Sequence, residues 1–311
     1  MDKKLLDLLK RSAAIPSMPQ VAARFLEIVQ DPEFRYQDVV EVLSPDPGMT
    51  TEILRLANSP LFGVTRQVTS LPQALALLGL KRVRSLVLGR YIVDSIDKKK
   101  LTLIDASYYW RRSLVTAVLA ARLAEPIEPK LREEAFTAGL LADIGIVILD
   151  EAVPEQFQPV AREYRPHGRP NLLALELEAL SASHGEVSAV ALEQWRLPDV
   201  VCDAVRWHAS DLSESKDGRY HLARIVSTAD RIAKYLCESP TAADEVAGNC
   251  TKILAEIDLE PDVLALILNE IEPQIAEFAS ILRIDMIPSQ IYEMIAQELK
   301  ASPTVLATAG T

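Results

Sequence analysis

Cysteine and glycine are both scarce in this 311-residue chain, which has three cysteines and 11 glycines. The cysteines form no C-x-x-C pair, and their odd number gives no disulfide framework. We therefore expect a reducing, cytoplasmic compartment. The sequence has no G-x-G-x-x-G, G-x-x-x-x-G-K-[ST] or G-x-S-x-G motif. Without these motifs, the sequence has neither a recognisable glycine-rich loop for nucleotide phosphates nor the nucleophile elbow of α/β-hydrolases.

Positive charge and long apolar runs are also in short supply. Lys and Arg number 33 against 44 Asp and Glu, so the formal net charge is -11. A general nucleic-acid binder needs a basic footprint, and an anionic membrane surface attracts basic segments. No apolar run reaches the roughly 18 residues typical of a membrane-spanning helix. We expect neither nucleic acid nor a membrane as a partner.

Helical periodicity dominates the rest of the sequence. Val21, Phe25, Ile28 and Val29 follow the i, i+4, i+7, i+8 spacing of one apolar helix face. No Asn-Gly or Asp-Gly pair lies between two alternating runs, so there is no hairpin signal. The apolar run 136–149 lacks turn residues at both ends, which favours helix over strand. The sequence predicts an all-α fold.

Two helix starts are predicted from S-x-x-Q capping boxes, one beginning at Ser17 and the other at Ser70. In such a box the Ser hydroxyl accepts from the N3 amide, and the Gln side chain reaches back to the cap. Pro19 and Pro72 fall in the first turn, where proline costs no hydrogen bond.

Polar and proline-containing breaks divide the chain into helical segments. We predict an N-terminal lobe at about 14–96 and a second lobe at about 101–236. A C-terminal helical extension follows over 240–300, and the small, polar tail 301–311 is expected to be disordered.

Four stretches of sequence, read together, point to a family. They are SPDPGMTTEILRLANSPLFG (44–63), SLPQALALLGLKRVRSLVLG (70–89), TAGLLADIGIVIL (137–149) and HGEVSAVALEQWRLPDVVCDAVRWH (184–208). In this order and spacing the chain resembles the HDOD family, the HD-related output domain of bacterial signalling proteins. The resemblance covers about 14–236 and leaves the C-terminal extension outside it.

The resemblance implies a helical domain related to the HD metal-dependent phosphohydrolases. Those enzymes hold divalent metals with a His…His-Asp…His…His…Asp set, and the metal activates water at a phosphoester. In this chain the first ligand position holds Arg112, and the His-Asp doublet is Ala142-Asp143. The later positions match His184, His208 and Asp230.

Two ligands of that set are missing, and Arg cannot deprotonate to bind a metal. We therefore expect no catalytic residue, no tightly held metal and no cofactor, with Arg112, Asp143, His184, His208 and Asp230 as a vestigial polar site. Four further positions of the family motifs are expected to be structural: Asn58, Ser59, Gly63 and Gly79.

A buried charge needs a partner, and Asp143 lies among apolar residues. We predict that Arg112 replaces the lost metal by an ion pair with Asp143, Asp230 or both, since its planar fork can hold a carboxylate by two hydrogen bonds. The simpler interpretations stay open. His184 follows Ser183 and can merely begin a helix, whereas His208 can be a hydrogen-bonded core histidine.

The leading functional interpretation is a non-enzymatic signalling module of the bacterial cytoplasm that acts by contacts with other signalling proteins. One alternative is a divergent metal-dependent phosphohydrolase acting on a nucleotide or cyclic dinucleotide. The other is a sensor that binds a small ligand in the degenerate pocket.

Overall fold

The structure, a computed structural model, describes residues 3–11, 14–31, 33–59, 64, 66–96, 101–169, 171–212, 217–238, 242–286 and 291–301. Among these residues there are seventeen α-helices and no strand, so the all-α prediction is confirmed. None of the described helices is long and apolar enough to cross a membrane.

The α-helices follow one another along the chain with short connections. They are α1 (Lys3–Arg11), α2 (Gln20–Gln30), α3 (Tyr36–Leu43), α4 (Pro47–Ala57), α5 (Leu71–Leu78), α6 (Leu80–Ser95), α7 (Ala106–Ile127), α8 (Arg132–Leu141), α9 (Ile144–Ala152), α10 (Pro154–Ala161), α11 (Leu173–Leu180), α12 (His184–Gln194), α13 (Asp199–Trp207), α14 (His221–Cys237), α15 (Ala243–Ala255), α16 (Pro261–Leu282) and α17 (Ile291–Ala301).

Helix α6 takes part in two hydrophobic cores. Leu86 and Val87 lie in the first core, which α2 to α6 form together with Ile281 from α16. Leu88 and Ile92, on the other side of α6, lie in the second and larger core around α7. Leu88 and Ile92 thus connect α6 to the core of the second lobe.

Helix α7 is the centre of the second core and packs against α8, α14 and α16. The Asp105 side chain caps its start by accepting from the backbone amides of Ser107 and Tyr108, at 2.8 and 3.2 Å. Most of the α7 side chains between Tyr108 and Ala124 are buried. A helix surrounded in this way holds its polar residues in fixed positions inside the protein.

The apolar run 136–149 forms two helices rather than one, because α8 ends at Leu141 and α9 begins at Ile144. The turn between them is fixed by Ser188 of α12. Its hydroxyl donates to the Ala142 carbonyl at 2.7 Å and accepts from the Gly145 amide at 2.7 Å. This turn carries Asp143 into the interior.

The two capping boxes gave different outcomes. Helix α2 begins at Gln20 behind Pro19, so the prediction of a helix start capped by Ser17 was wrong. Ser70 does occupy the N-cap of α5, with Pro72 in the first turn, but its hydroxyl makes no capping hydrogen bond. The Gln73 side chain instead accepts from the Thr69 amide at 3.2 Å.

The family-motif positions lie in the N-terminal lobe. Asn58 donates to the carbonyls of Leu54 and Val68, both at 2.8 Å, and accepts from the Val68 amide at 2.7 Å, closing the loop that follows α4. Ser59 is buried. Gly79 joins α5 to α6 with a φ of 77°, a left-handed value that favours glycine. Gly63 lies outside the described residues.

The C-terminal helices pack onto both earlier parts of the chain. Helix α16 contacts α7, α6 and α4, and α17 packs between α15 and α16. The predicted tail begins at Ala301, the last residue of α17, and residues 302–311 lie outside the described part of the chain.

The Gly145→Ala substitution should destabilise the fold, since α9 crosses α12 at this glycine. A methyl group at position 145 would lie 2.1 Å from the His184 carbonyl oxygen and 2.9 Å from the Ser188 amide nitrogen. We expect a loss of about 1–3 kcal/mol or more in the free energy of unfolding, measured by urea denaturation.

Gly248→Ala is the matched control, because no atom lies within 4 Å of a methyl group at that position in α15. Alanine should stabilise this helix by up to about 1 kcal/mol. Equal effects of the two substitutions would contradict the close approach of α9 and α12.

Candidate functional site

Five elements of the second lobe bring the predicted site residues together. Arg112 comes from α7, Asp143 from the α8–α9 turn, His184 from the start of α12, His208 from the end of α13 and Asp230 from α14. Each of these residues is at most 9% exposed.

Arg112 and Asp230 form a buried ion pair with fork geometry. Nε of Arg112 donates to Oδ1 of Asp230 at 3.0 Å, and Nη2 donates to Oδ2 at 2.6 Å. The same Nη2 lies 3.7 Å from Oδ2 of Asp143. Burial opposes the charged form, but the two carboxylates raise the pKa of Arg112 well above its usual value. The ion pair predicted from the sequence is present.

Polar groups lie close to both carboxylate oxygens of Asp143, but only Oδ2 accepts a hydrogen bond. The Tyr164 hydroxyl donates to Oδ2 at 2.8 Å. Oδ1 lies 3.2 Å from Nε2 of His184 and 3.4 Å from Nε2 of His208. Although burial would raise the pKa of this carboxyl, the Arg112 charge and the two histidines hold it well below its usual range. Asp143 is therefore ionised inside the protein.

Both histidines are oriented by their Nδ1 atoms. His184 Nδ1 lies 2.6 Å from Oε1 of Glu176, whose other oxygen accepts from the His184 amide at 3.1 Å. His208 Nδ1 donates to the Val205 carbonyl at 2.7 Å. Each ring thus turns its Nε2 toward Asp143, and this arrangement of outer partners is typical of histidines that bind metal ions.

The two Nε2 atoms lie 3.2 Å apart, so a proton must lie between them for the contact to be attractive. His184 carries that proton. Burial alone would lower the pKa of His184, but the Glu176 and Asp143 carboxylates raise it to about 10.

One half of the cluster fits a single divalent metal ion. Oδ1 of Asp143 and Nε2 of His184 and His208 form a triangle with edges of 3.2, 3.4 and 3.2 Å. Three ligands bound tetrahedrally at about 2.0–2.2 Å are separated by roughly 3.3–3.6 Å. These residues would hold the ion, which would act as a Lewis acid toward water.

The other half of the cluster does not fit a metal. Asp230 gives both oxygens to Arg112, and a guanidinium cannot release its proton to become a ligand. Binding in the first half would also have to displace the proton of His184, so metal affinity falls at neutral and lower pH.

Two further residues belong to the site and were not predicted from the sequence, Tyr164 and Glu176. The Tyr164 ring lies beneath the guanidinium of Arg112, with 5.1 Å between Cζ and the ring centroid. Glu176, on α11, is fully buried against His184. No spacing or motif in the sequence connects either residue with the cluster, because both arrive through tertiary packing.

A cavity of about 510 Å³ opens onto the cluster, and all five predicted site residues line it. Its other walls come from the loop after α10, residues 162–169, from the region after α13, and from α14 and the end of α15. A cavity of this size accommodates a small organic molecule.

A comparison with protein families matches residues 15–210 to the HDOD domain. A curated protein of Treponema pallidum, described as uncharacterized, is 26% identical in an alignment 207 residues long that covers 62% of this chain. The matched segment spans 38% of that protein's length.

Two crystal structures share the fold. One is a Shewanella amazonensis protein provisionally named a phosphohydrolase, with a TM-score of 0.71 and 23% identity over 90% of this chain and 98% of its own. The other is an HDOD domain protein of unknown function from Geobacter sulfurreducens, with a TM-score of 0.61 and 22% identity over 92% of this chain and all of its own.

Arg112→Ala should destabilise the protein by about 3–5 kcal/mol, because it leaves the Asp230 carboxylate buried without its cation. The double variant Arg112→Ala/Asp230→Ala removes the stranded charge and should recover part of that loss. Urea denaturation measures both. A single variant as stable as the parent would show that the pair is not buried.

The stability of the protein should fall as the pH rises from 6.5 toward 10, since the pKa of His184 is raised from 6.5 to about 10 by folding. A group whose pKa is raised by folding stabilises the protein fully at a pH below its pKa in the unfolded chain. That stabilisation is lost as the pH rises to its pKa in the folded protein. The expected slope from this group is about 1.4 kcal/mol per pH unit.

His184→Gln should lose this part of the pH dependence of unfolding. His221→Gln, at an exposed position outside the cavity, should keep it. If the free energy of unfolding falls with the same slope between pH 7 and 9 in the parent and in His184→Gln, the conclusion that His184 is protonated in the folded protein is wrong.

Proposed function

Because the chain belongs to the HDOD family, we propose that it is a non-enzymatic signal-transduction module of the bacterial cytoplasm. It acts through contacts with other signalling proteins, and its polar cluster is a degenerate phosphohydrolase site. The observation that carries this proposal is the buried ion pair between Arg112 and Asp230.

The ion pair supports a non-catalytic role for a chemical reason. In the metal enzymes that the HDOD sequence resembles, the positions of Arg112 and Asp230 hold ligands to a divalent ion. In this protein the guanidinium supplies the positive charge and takes both oxygens of Asp230. A guanidinium neutralises charge but cannot activate water, because it has no exchangeable coordination position.

The three remaining donors support the alternative, a divergent phosphohydrolase with one metal ion. Asp143, His184 and His208 have the spacing for it, but the proton on His184 competes with the metal. The sensor alternative is favoured by the cavity of about 510 Å³, which gives a small ligand access to the cluster.

Metal content and hydrolysis test the proposal together. The protein is incubated with Mn²⁺, Fe²⁺ or Zn²⁺ at pH 7, dialysed, and examined by elemental analysis and with bis(p-nitrophenyl) phosphate as substrate. We expect well under one equivalent of retained metal and no turnover above that of the His208→Ala variant.

The Arg112→His/Ala142→His variant restores both missing ligand types and is the matched comparison. It should retain more metal than the parent, because the guanidinium is replaced by an imidazole that can coordinate. One equivalent of metal held by the parent, together with hydrolysis that His208→Ala abolishes, would establish the enzymatic alternative instead.

A further inference from the structure

The wall of the cavity has a different charge balance from the rest of the protein. The whole chain has 33 basic and 44 acidic residues. The cavity is lined by six basic and five acidic residues in addition to His184 and His208. Basic residues are thus concentrated around one opening in a protein that is otherwise acidic.

Three of these basic residues are already neutralised by carboxylates. Arg112 is held by Asp230, and Arg231 bonds both oxygens of Glu256. Lys234 is paired with Glu238 inside the protein. These cations contribute little attraction for a ligand, because their charge is compensated at close range.

Of the other three basic residues, Arg165 and Arg224 have no such pairing, and Arg169 has only a long one. In the described part of the chain no carboxylate lies within 4 Å of the Arg165 or Arg224 guanidinium, and Arg224 donates to the Glu256 backbone carbonyl. Nε of Arg169 lies 4.0 Å from Glu163, with 60% of the Arg169 side chain exposed. Arg165 and Arg169 come from the 162–169 loop and Arg224 from α14.

We propose that the cavity binds a small multivalent oxyanion, and that Arg165, Arg169 and Arg224 recognise it. Guanidinium groups bind phosphate and carboxylate oxygens through paired, charge-assisted hydrogen bonds. Leu172, Leu212 and Ile257 line the same cavity and provide apolar contact for the body of the ligand. The inference rests on the proposed function, since the ligand is bound as a signal and is not hydrolysed.

The recognition is assigned to the arginines nearer solvent rather than to the buried cluster. Asp143 and Asp230 are anionic and would repel a second anion brought into contact with them. Arg165 and Arg169 line the cavity from the 162–169 loop and Arg224 lines it from α14, so an anion held by all three would bridge these two elements.

Calorimetric titration of the metal-free 311-residue protein tests the inference at constant ionic strength and pH 7.5. The probes are pyrophosphate and citrate, with chloride as the monovalent reference. We expect saturable binding of at least one multivalent probe. The Arg165→Gln/Arg169→Gln variant and the Arg224→Gln variant should each bind it about tenfold more weakly or worse.

The control is Arg24→Gln/Arg66→Gln, which removes the same charge as the double variant from exposed positions outside the cavity. It should bind like the parent. Far-UV circular dichroism establishes that each variant is folded, and Arg224→Gln, on a helix, provides a second test if the loop variant is not.

The outcomes separate the two proposals. Binding of pyrophosphate alone indicates a phosphate ligand, and binding of citrate alone indicates a polycarboxylate. No binding of either probe, or equal weakening in the control variant, overturns the inference. Arginine-dependent binding with hydrolysis of pyrophosphate, followed by ³¹P NMR, retains the anion site and overturns the non-enzymatic function.

Discussion

The carboxylate of Asp143 is ionised inside an apolar part of the protein, and the arrangement of the second lobe depends on compensating it. Removing such a charge from water costs several kcal/mol unless it is paired and hydrogen-bonded. Helix α7 supplies the cation, the 162–169 loop supplies a tyrosine hydroxyl, and α12 and α13 supply the two imidazoles. The need to compensate one charge therefore specifies how four segments meet.

In this cluster the positive charge beside Asp230 is the guanidinium of Arg112 and not a divalent metal ion. A divalent ion can leave, and its loss would expose the carboxylates to one another. The guanidinium of Arg112 is covalently part of α7 and stays charged at any pH at which the protein folds. The charge of Asp230 is consequently compensated by a group that cannot dissociate, whereas the protonation of His184 links the cluster to pH.

Much of this centre could be predicted from the sequence, and the parts that could not share a cause. The helical periodicity predicted the all-α fold, and the resemblance that placed Arg112, Asp143 and Asp230 at metal-ligand positions predicted an ion pair. Tyr164 and Glu176 were not predictable, because neither lies at a spacing that reflects its contact. The Ser17 cap failed for a local reason, since the chain stays extended through Pro19 and α2 begins one residue later.

Helix α6 has a consequence for how the protein unfolds. Its Leu86 and Val87 belong to one hydrophobic core, and its Leu88 and Ile92 belong to the other. Unfolding of either core removes part of the packing that keeps this helix in place, which weakens the other core. The two lobes should therefore lose their structure in a single cooperative transition, and the slowest-exchanging amide protons of both should report the same global free energy.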